Sequence, residues 1–167
     1  LVKQGKIHLD LIGDGPERPR LQALVDREQI HSGTQLEGWV DHAQLQSRLS
    51  QSDVLVLPSI REFGGGVVLE AMALGLPPIV LDHGGPPELV PPGTGYVLPL
   101  QSRGQIINDL RVLLARLAAD PSPLIAQGLA AQHHIRRHFT WQAKAQQIKE
   151  VYHWLQGHSA RKPSWGI

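Results

Sequence analysis

Residues 58 to 70 read Pro-Ser-Ile-Arg-Glu-Phe-Gly-Gly-Gly-Val-Val-Leu-Glu. Two carboxylates, Glu62 and Glu70, stand on either side of three consecutive glycines, Gly64, Gly65 and Gly66. Glycines just ahead of a helix leave backbone N–H groups unshielded, and the helix end adds about half a positive charge. A phosphate group would sit well there. Glu70, read as lying in the first helical turn, is near enough to a ligand held at that end for its carboxylate to accept two bonds from a ribose diol. Glu62, across the glycines, could accept hydroxyl bonds from whatever a diphosphate carries. Phosphate on amides and ribose on a glutamate describe a nucleotide. Each piece also has a plainer reading: Glu70 as a helix cap giving about 0.3 to 1 kcal/mol, the glycines as a loose loop, and Glu62 beside Arg61 as a surface ion pair giving about 0 to 1 kcal/mol. The conjunction favours the site.

The elements around this segment must hold it at one end of a sheet. Ile7, Leu9, Leu11 and Ile12 form an apolar run that stops at Gly13-Asp14-Gly15-Pro16. This predicts a strand, a tight turn and a helix with Pro16 at its first position, running to about Gln29 with Leu21, Leu24 and Val25 on one face. Thr34-Gln35-Leu36 reads as a second strand closed by Gly38, and His42 to Leu49 as a helix. Asp53 to Leu57 reads as a strand buried on both faces. A helix over Val67 to Leu74, closed by Gly75, follows, then a strand over Pro78 to Leu81, the turn Gly84-Gly85-Pro86-Pro87 and a last strand over Gly95 to Pro99. From Gln105 the apolar period turns helical, with further helices over about Ser122 to His138 and Trp141 to Gln156. Strands alternating with helices predict a doubly wound parallel sheet in a Rossmann-like three-layer α/β fold with C-terminal helices. Ligands of such sheets bind beyond the carboxyl ends of the strands.

Composition sets the outer limits. The chain has 167 residues, 41% hydrophobic and 19% charged, and no apolar segment approaches the roughly 18 residues that cross a bilayer. Residues 1 to 156 read as one domain and 157 to 167 as a loose tail. The absence of cysteine excludes a disulfide framework, a thiolate nucleophile and Cys-ligated zinc, with cytosol as the default compartment. The chain opens on Leu1 and reads as an excised domain. Residues 1 to 84 carry 7 basic and 11 acidic groups, and residues 85 to 167 carry 9 and 4. The basic groups of the second half are scattered along helices with little aromatic interleaving, the pattern of a solvated face and not of a nucleic-acid groove.

Glu62 and Glu70 with seven residues between, followed by Ala-Met-Ala-Leu-Gly-Leu-Pro, resemble the E-x7-E motif of the retaining group 1 (family 4) glycosyltransferases. Gly13-Asp14-Gly15-Pro16 is similar to that family's first glycine turn, Leu36 to Val40 to its loop near the base, Asp53 to Ser59 to its buried strand, and Gly84-Gly85-x-x-Glu88 to its next loop. The resemblance covers about residues 7 to 156. It implies the C-terminal, donor-binding half of a GT-B enzyme, a hexosyltransferase type that uses a nucleotide-diphosphate sugar, retains configuration and needs neither cofactor nor metal. It further implies that Glu70 binds the donor ribose, Glu62 lies by the sugar, the amides of Gly64 to Gly66 face the diphosphate, Gly13 and Gly15 form the first turn, and the backbone around Trp39 and Val40 edges the base. Its expected partners are the donor and an N-terminal, acceptor-binding domain of the same protein, without which the fragment would be inactive. With the cytoplasmic place expected above, it admits a peripheral membrane acceptor at the inner face. Two departures stand out: Phe63 and Gly64 follow the first glutamate where the family has a small residue and then an aromatic or Leu, and the family's opening strand and basic element are absent. Arg18, Arg20 and Arg61 are the substitutes on offer for its phosphate-gripping cations.

Three rival readings fit parts of the same pattern. A nicotinamide dehydrogenase would use Gly13-x-Gly15 and Glu37 as ribose acid, but Arg18 stands where its third glycine belongs. A sugar-nucleotide epimerase shares the architecture and would need acid and base groups such as Glu62 or His83. A non-catalytic nucleotide-binding module is the third. His133, His134 and His138 lack a completing carboxylate or cysteine and read as a surface cluster, not a metal site. Trp141, Tyr152 and Trp154 read as core or interdomain packing.

Overall fold

Strand β3, Leu55–Leu57, shows how the core is organised. Successive strand side chains point to opposite faces, and here Leu55 and Leu57 pack with Val68, Met72, Val80, Ala131 and Ile135. Val54 and Val56 pack with Ile79, Leu113 and Leu117 on the other face. Besides Val80 and Ile79 of the neighbouring strand, the first group comes from α3 (Gly66–Ala73) and α5 (Ser122–His138), the second from α4 (Arg103–Ala119). The three-layer arrangement follows, and its central strand β4, Pro78–Leu81, is buried at every position. The computed structural model describes residues 1–164.

β3, β4 and β5 (Tyr96–Leu98) form one parallel sheet in the order β3-β4-β5. β1 (Leu9–Ile12) and β2 (Thr34–Gly38) form a second, two-stranded parallel sheet. The parallel α/β architecture is as expected, with its strands hydrogen-bonded in two groups. Helices α1 (Arg18–Glu28), α2 (His42–Leu49) and α3 make the first three crossovers. The fourth, β4 to β5, uses only a single 3-10 turn, Pro86–Leu89. α5 lies close on α3: a Cβ at Gly128 would stand 2.1 Å from the Gly75 carbonyl, and Gln132 donates to the Ala73 carbonyl at 3.2 Å.

Several local expectations are corrected. Helix α1 starts at Arg18, with Pro19 rather than Pro16 in its first turn. Of its expected apolar face only Val25 is buried, while Leu21 and Leu24 are 36% and 40% exposed. A two-stranded sheet offers too little area to cover a whole helix face. β3 is half-buried rather than closed on both sides. Glu70 lies in the second turn of α3, because the helix begins at Gly66. The last helix, α6, spans Trp141–Leu155. Residues 157–164 carry no regular element, with the Lys162 ammonium 5.9 Å from the Trp154 ring centroid; residues 165–167, the end of the expected tail, lie outside the described residues.

Candidate functional site

The loop from Pro58 to Gly65 leaves the carboxyl end of β3 and enters α3 through Gly65, whose φ of 62° is one that glycine adopts at little cost. Gly65 is buried, and a Cβ there would meet Pro86 at 3.2 Å. Gly64 and Gly66 are exposed, with nothing within 4 Å of an added Cβ. The triple glycine therefore divides: the middle one serves the fold, and the outer two keep an open surface.

Glu62 turns back on this loop. Its Oε1 accepts from the Gly64 amide at 3.3 Å and from the Gly65 amide at 2.9 Å. Two backbone donors thus converge on one carboxylate oxygen at the start of α3, the geometry of a small anion site. The turn after β4 supports the loop from behind. A Cβ at Gly84 would stand 2.7 Å from the Glu62 carbonyl, and one at Gly85 would stand 2.2 Å from the Phe63 carbonyl. Only glycine allows such backbone-to-backbone contact. Phe63 projects outward, 97% exposed.

Glu70 reaches the other way, toward α2. Its Oε1 lies 3.0 Å from Nε2 of His42, while Oε2 is buried without a partner. Glu62 thus bonds within the loop that enters α3, and Glu70, on the helix itself, bonds to α2.

The other glycine turns cap the second sheet. Gly13, at φ 133°, donates to the Gly38 carbonyl at 2.8 Å, and the Gly15 amide donates to the Asp14 carboxylate at 2.8 Å. Gly38 turns at φ 72° into Trp39, which is 81% exposed, and Val40, which is half-buried. The Arg18 guanidinium lies against Gly38 and donates to the Leu36 carbonyl at 3.1 Å. Arg18 holds this turn and Arg20 pairs with Glu17, so of the three cations offered for a phosphate only Arg61 stands in the candidate loop, exposed. Glu37 is only 10% exposed at its side chain and pairs with Arg48 at 3.2 Å. That commitment removes it as the ribose acid of a dehydrogenase.

His83 is exposed in the turn after β4. The His134 and His138 ring centroids lie 4.8 Å apart with the planes tilted by 39°, and among the described residues no group of three His, Cys, Asp or Glu side chains could hold a metal ion. Two surface hollows lie away from this loop, one lined by residues between Val2 and Gly33 and one along α6 near Lys149. The candidate site is an open face.

Sequence reasoning missed His42, the Gly84–Gly85 buttress and the role of Arg18. One signal was available for the first: His42 opens the helix after β2, and in a parallel fold every such opening lies at the carboxyl end of its sheet.

A family model described as "Glycosyl transferases group 1" matches residues 1–116. The GDP-mannose-dependent monoacylated alpha-(1-6)-phosphatidylinositol monomannoside mannosyltransferase of Corynebacterium glutamicum is 28% identical over 149 residues, which cover 84% of this chain and 37% of that protein. The structure of sucrose-phosphate synthase from Thermosynechococcus elongatus is 31% identical with a TM-score of 0.69, over 91% of this chain and 39% of that one. The pneumococcal O-GlcNAc transferase GtfA, solved with UDP and GlcNAc, shares the fold at a TM-score of 0.75 and 23% identity, over 92% of this chain and 30% of that one. The chain thus spans about a third of the length of the relatives it matches.

Proposed function

Because this chain belongs to the group 1 glycosyltransferases, we propose that residues 1 to 156 form the donor-binding half of a GT-B enzyme that moves a sugar from a nucleotide-diphosphate sugar to an acceptor with retention of configuration. The observation that carries the reading is the convergence of the Gly64 and Gly65 amides on one anionic oxygen, that of Glu62. The donor's diphosphate takes the amides of Gly64 to Gly66 when Glu62 swings aside toward the sugar. Charge developing on the leaving diphosphate is then met by backbone dipoles, with Arg61 as the nearest cation in the loop, and no metal is required. Glu70 receives the ribose hydroxyls. Gly13 and Gly15 keep the first turn open, and the backbone at Trp39 and Val40 lines the base.

Transfer also needs an acceptor held against the donor, and in this reading a further domain holds it. The 167-residue chain alone is expected to bind nucleotide weakly and to transfer nothing. No helix among the described residues is long and apolar enough to cross a membrane, and a lipid-linked acceptor would be met peripherally, at the cytoplasmic face.

Titration with uridine, guanosine and adenosine diphosphates, followed by amide NMR, tests the assignment. Shifts are expected at Gly64, Gly65 and Gly66 with at least one nucleotide, and their loss is expected in Glu70→Ala. Silence at those three amides with all three nucleotides would refute the donor site.

A further inference from the structure

His42 and Glu70 are separated by 28 positions in the chain, yet their side chains meet at 3.0 Å. An ionised carboxylate can only accept, so the imidazole donates from Nε2. His42 is the first residue of α2, separated from the turn Gly38-Trp39-Val40 by Asp41 alone, whereas Glu70 belongs to α3. The bond therefore ties the segment that carries Trp39 to the helix that carries the carboxylate. His42 is largely exposed, at 73% of its side chain, so the contact contributes little to the core.

The carboxylate's own surroundings make the bond informative. Oε2 of Glu70 is buried and has no partner. A buried acceptor left unpaired is uncommon in a folded chain and calls for an explanation, of which an absent ligand is one. The last torsion of a glutamate side chain is broad and nearly two-fold, so nothing intrinsic fixes which oxygen faces out. Among the described residues, the hydrogen bond that orients that carboxylate comes from His42.

We propose that His42 is a positioning residue for donor binding: its imidazole holds the Glu70 carboxylate in the orientation that accepts the ribose hydroxyls. The inference rests on the ribose role given to Glu70 above. It assigns His42 no bond to the nucleotide and no part in the chemistry.

The test compares each of the three ribonucleoside diphosphates with its 2′,3′-dideoxy counterpart, which lacks both hydroxyls, by calorimetric titration of the full 167-residue chain. The native chain should prefer the ribose form. His42→Ala should weaken ribonucleotide binding about five- to tenfold while leaving the dideoxy form within about twofold. His42→Gln, whose side-chain amide can still donate to Oε1, should recover part of the preference. Glu70→Ala should abolish the preference, and His42→Ala added to Glu70→Ala should then cost nothing more, because residues acting through one contact are not additive. If Glu70→Ala leaves the preference intact, or the native chain shows none, the ribose role itself fails and takes this inference with it. If Glu70→Ala abolishes it but His42→Ala does not reduce it, or the two losses add, the ribose role stands and positioning by His42 is wrong.

Discussion

Gly66 has open space where a side chain would begin, and its φ lies outside the left-handed range. Alanine there should leave the fold intact, and because it replaces a glycine inside a helix it should raise stability by up to about 1 kcal/mol. The added methyl group would nonetheless cover one of the amides proposed to face the diphosphate. Gly66→Ala is therefore expected to keep or raise the thermal midpoint while lowering nucleotide affinity about tenfold, read by thermal unfolding and titration of the same sample. Gly65→Ala should do the reverse of the first effect, since its φ of 62° and the nearby Pro86 both resist a Cβ. At this scale the acidic pair and the glycines were legible, because they are neighbours in sequence and their chemistry depends on being so. The bond from Glu62 back to its own loop was not legible, as it depends on a rotamer. Nor was His42 visible as a partner, since spacing along one segment says nothing about a residue 28 positions away.

Between elements, the contact that shapes the loop is backbone against backbone. A methyl group at Gly85 would lie 2.2 Å from the Phe63 carbonyl, so either the turn after β4 or the Glu62 loop must move. Gly85→Ala is expected to cost about 1 to 3 kcal/mol, in the range of overpacked interiors, measured as a lower urea midpoint at unchanged slope. It should also shift the amide resonances of Gly64 and Gly65 in the absence of any nucleotide. Unmoved resonances would mean that the loop holds its shape without the buttress. The elements themselves read well from the sequence where periodicity was long: α5 occupies Ser122–His138 as expected, and β4 its four positions. They read poorly at their starts. Pro16 and Pro19 both suit a first turn, and the structure uses the second. The glycines before Val67 gave no sign of which one opens α3, because a glycine can be the left-handed residue that enters a helix as readily as the first residue inside it.

At the scale of the whole molecule, the layers around β3, β4 and β5 were legible because apolar runs alternate with helical periods, although only β4 is buried at every position. The division of the strands into two sheets was not, since hydrogen-bond partners between strands leave no trace in the pattern of a single strand. The same distinction, between what a local pattern encodes and what packing decides, applies to the histidines of the second half. His134 is tucked where α5 meets α6, against His138 at 4.8 Å and Phe139 at 5.5 Å. Phe139 in turn packs on the main core and carries the Lys144 ammonium 4.5 Å from its ring centroid. Burial, then the positive charge of His138 and of His133, lowers the His134 pKa below the ordinary value of 6.5. A histidine so lowered is neutral in the folded chain at pH values where the unfolded chain already takes up a proton. Its linkage is therefore silent above about pH 6.5 and favours unfolding increasingly as the pH falls below that value. The native chain should lose thermal stability between pH 7.5 and 5.5. In His134→Gln, which cannot take up that proton, the loss should be smaller, and the two melting curves should draw together as the pH falls. Equal losses in both chains would place the acid sensitivity elsewhere in the molecule.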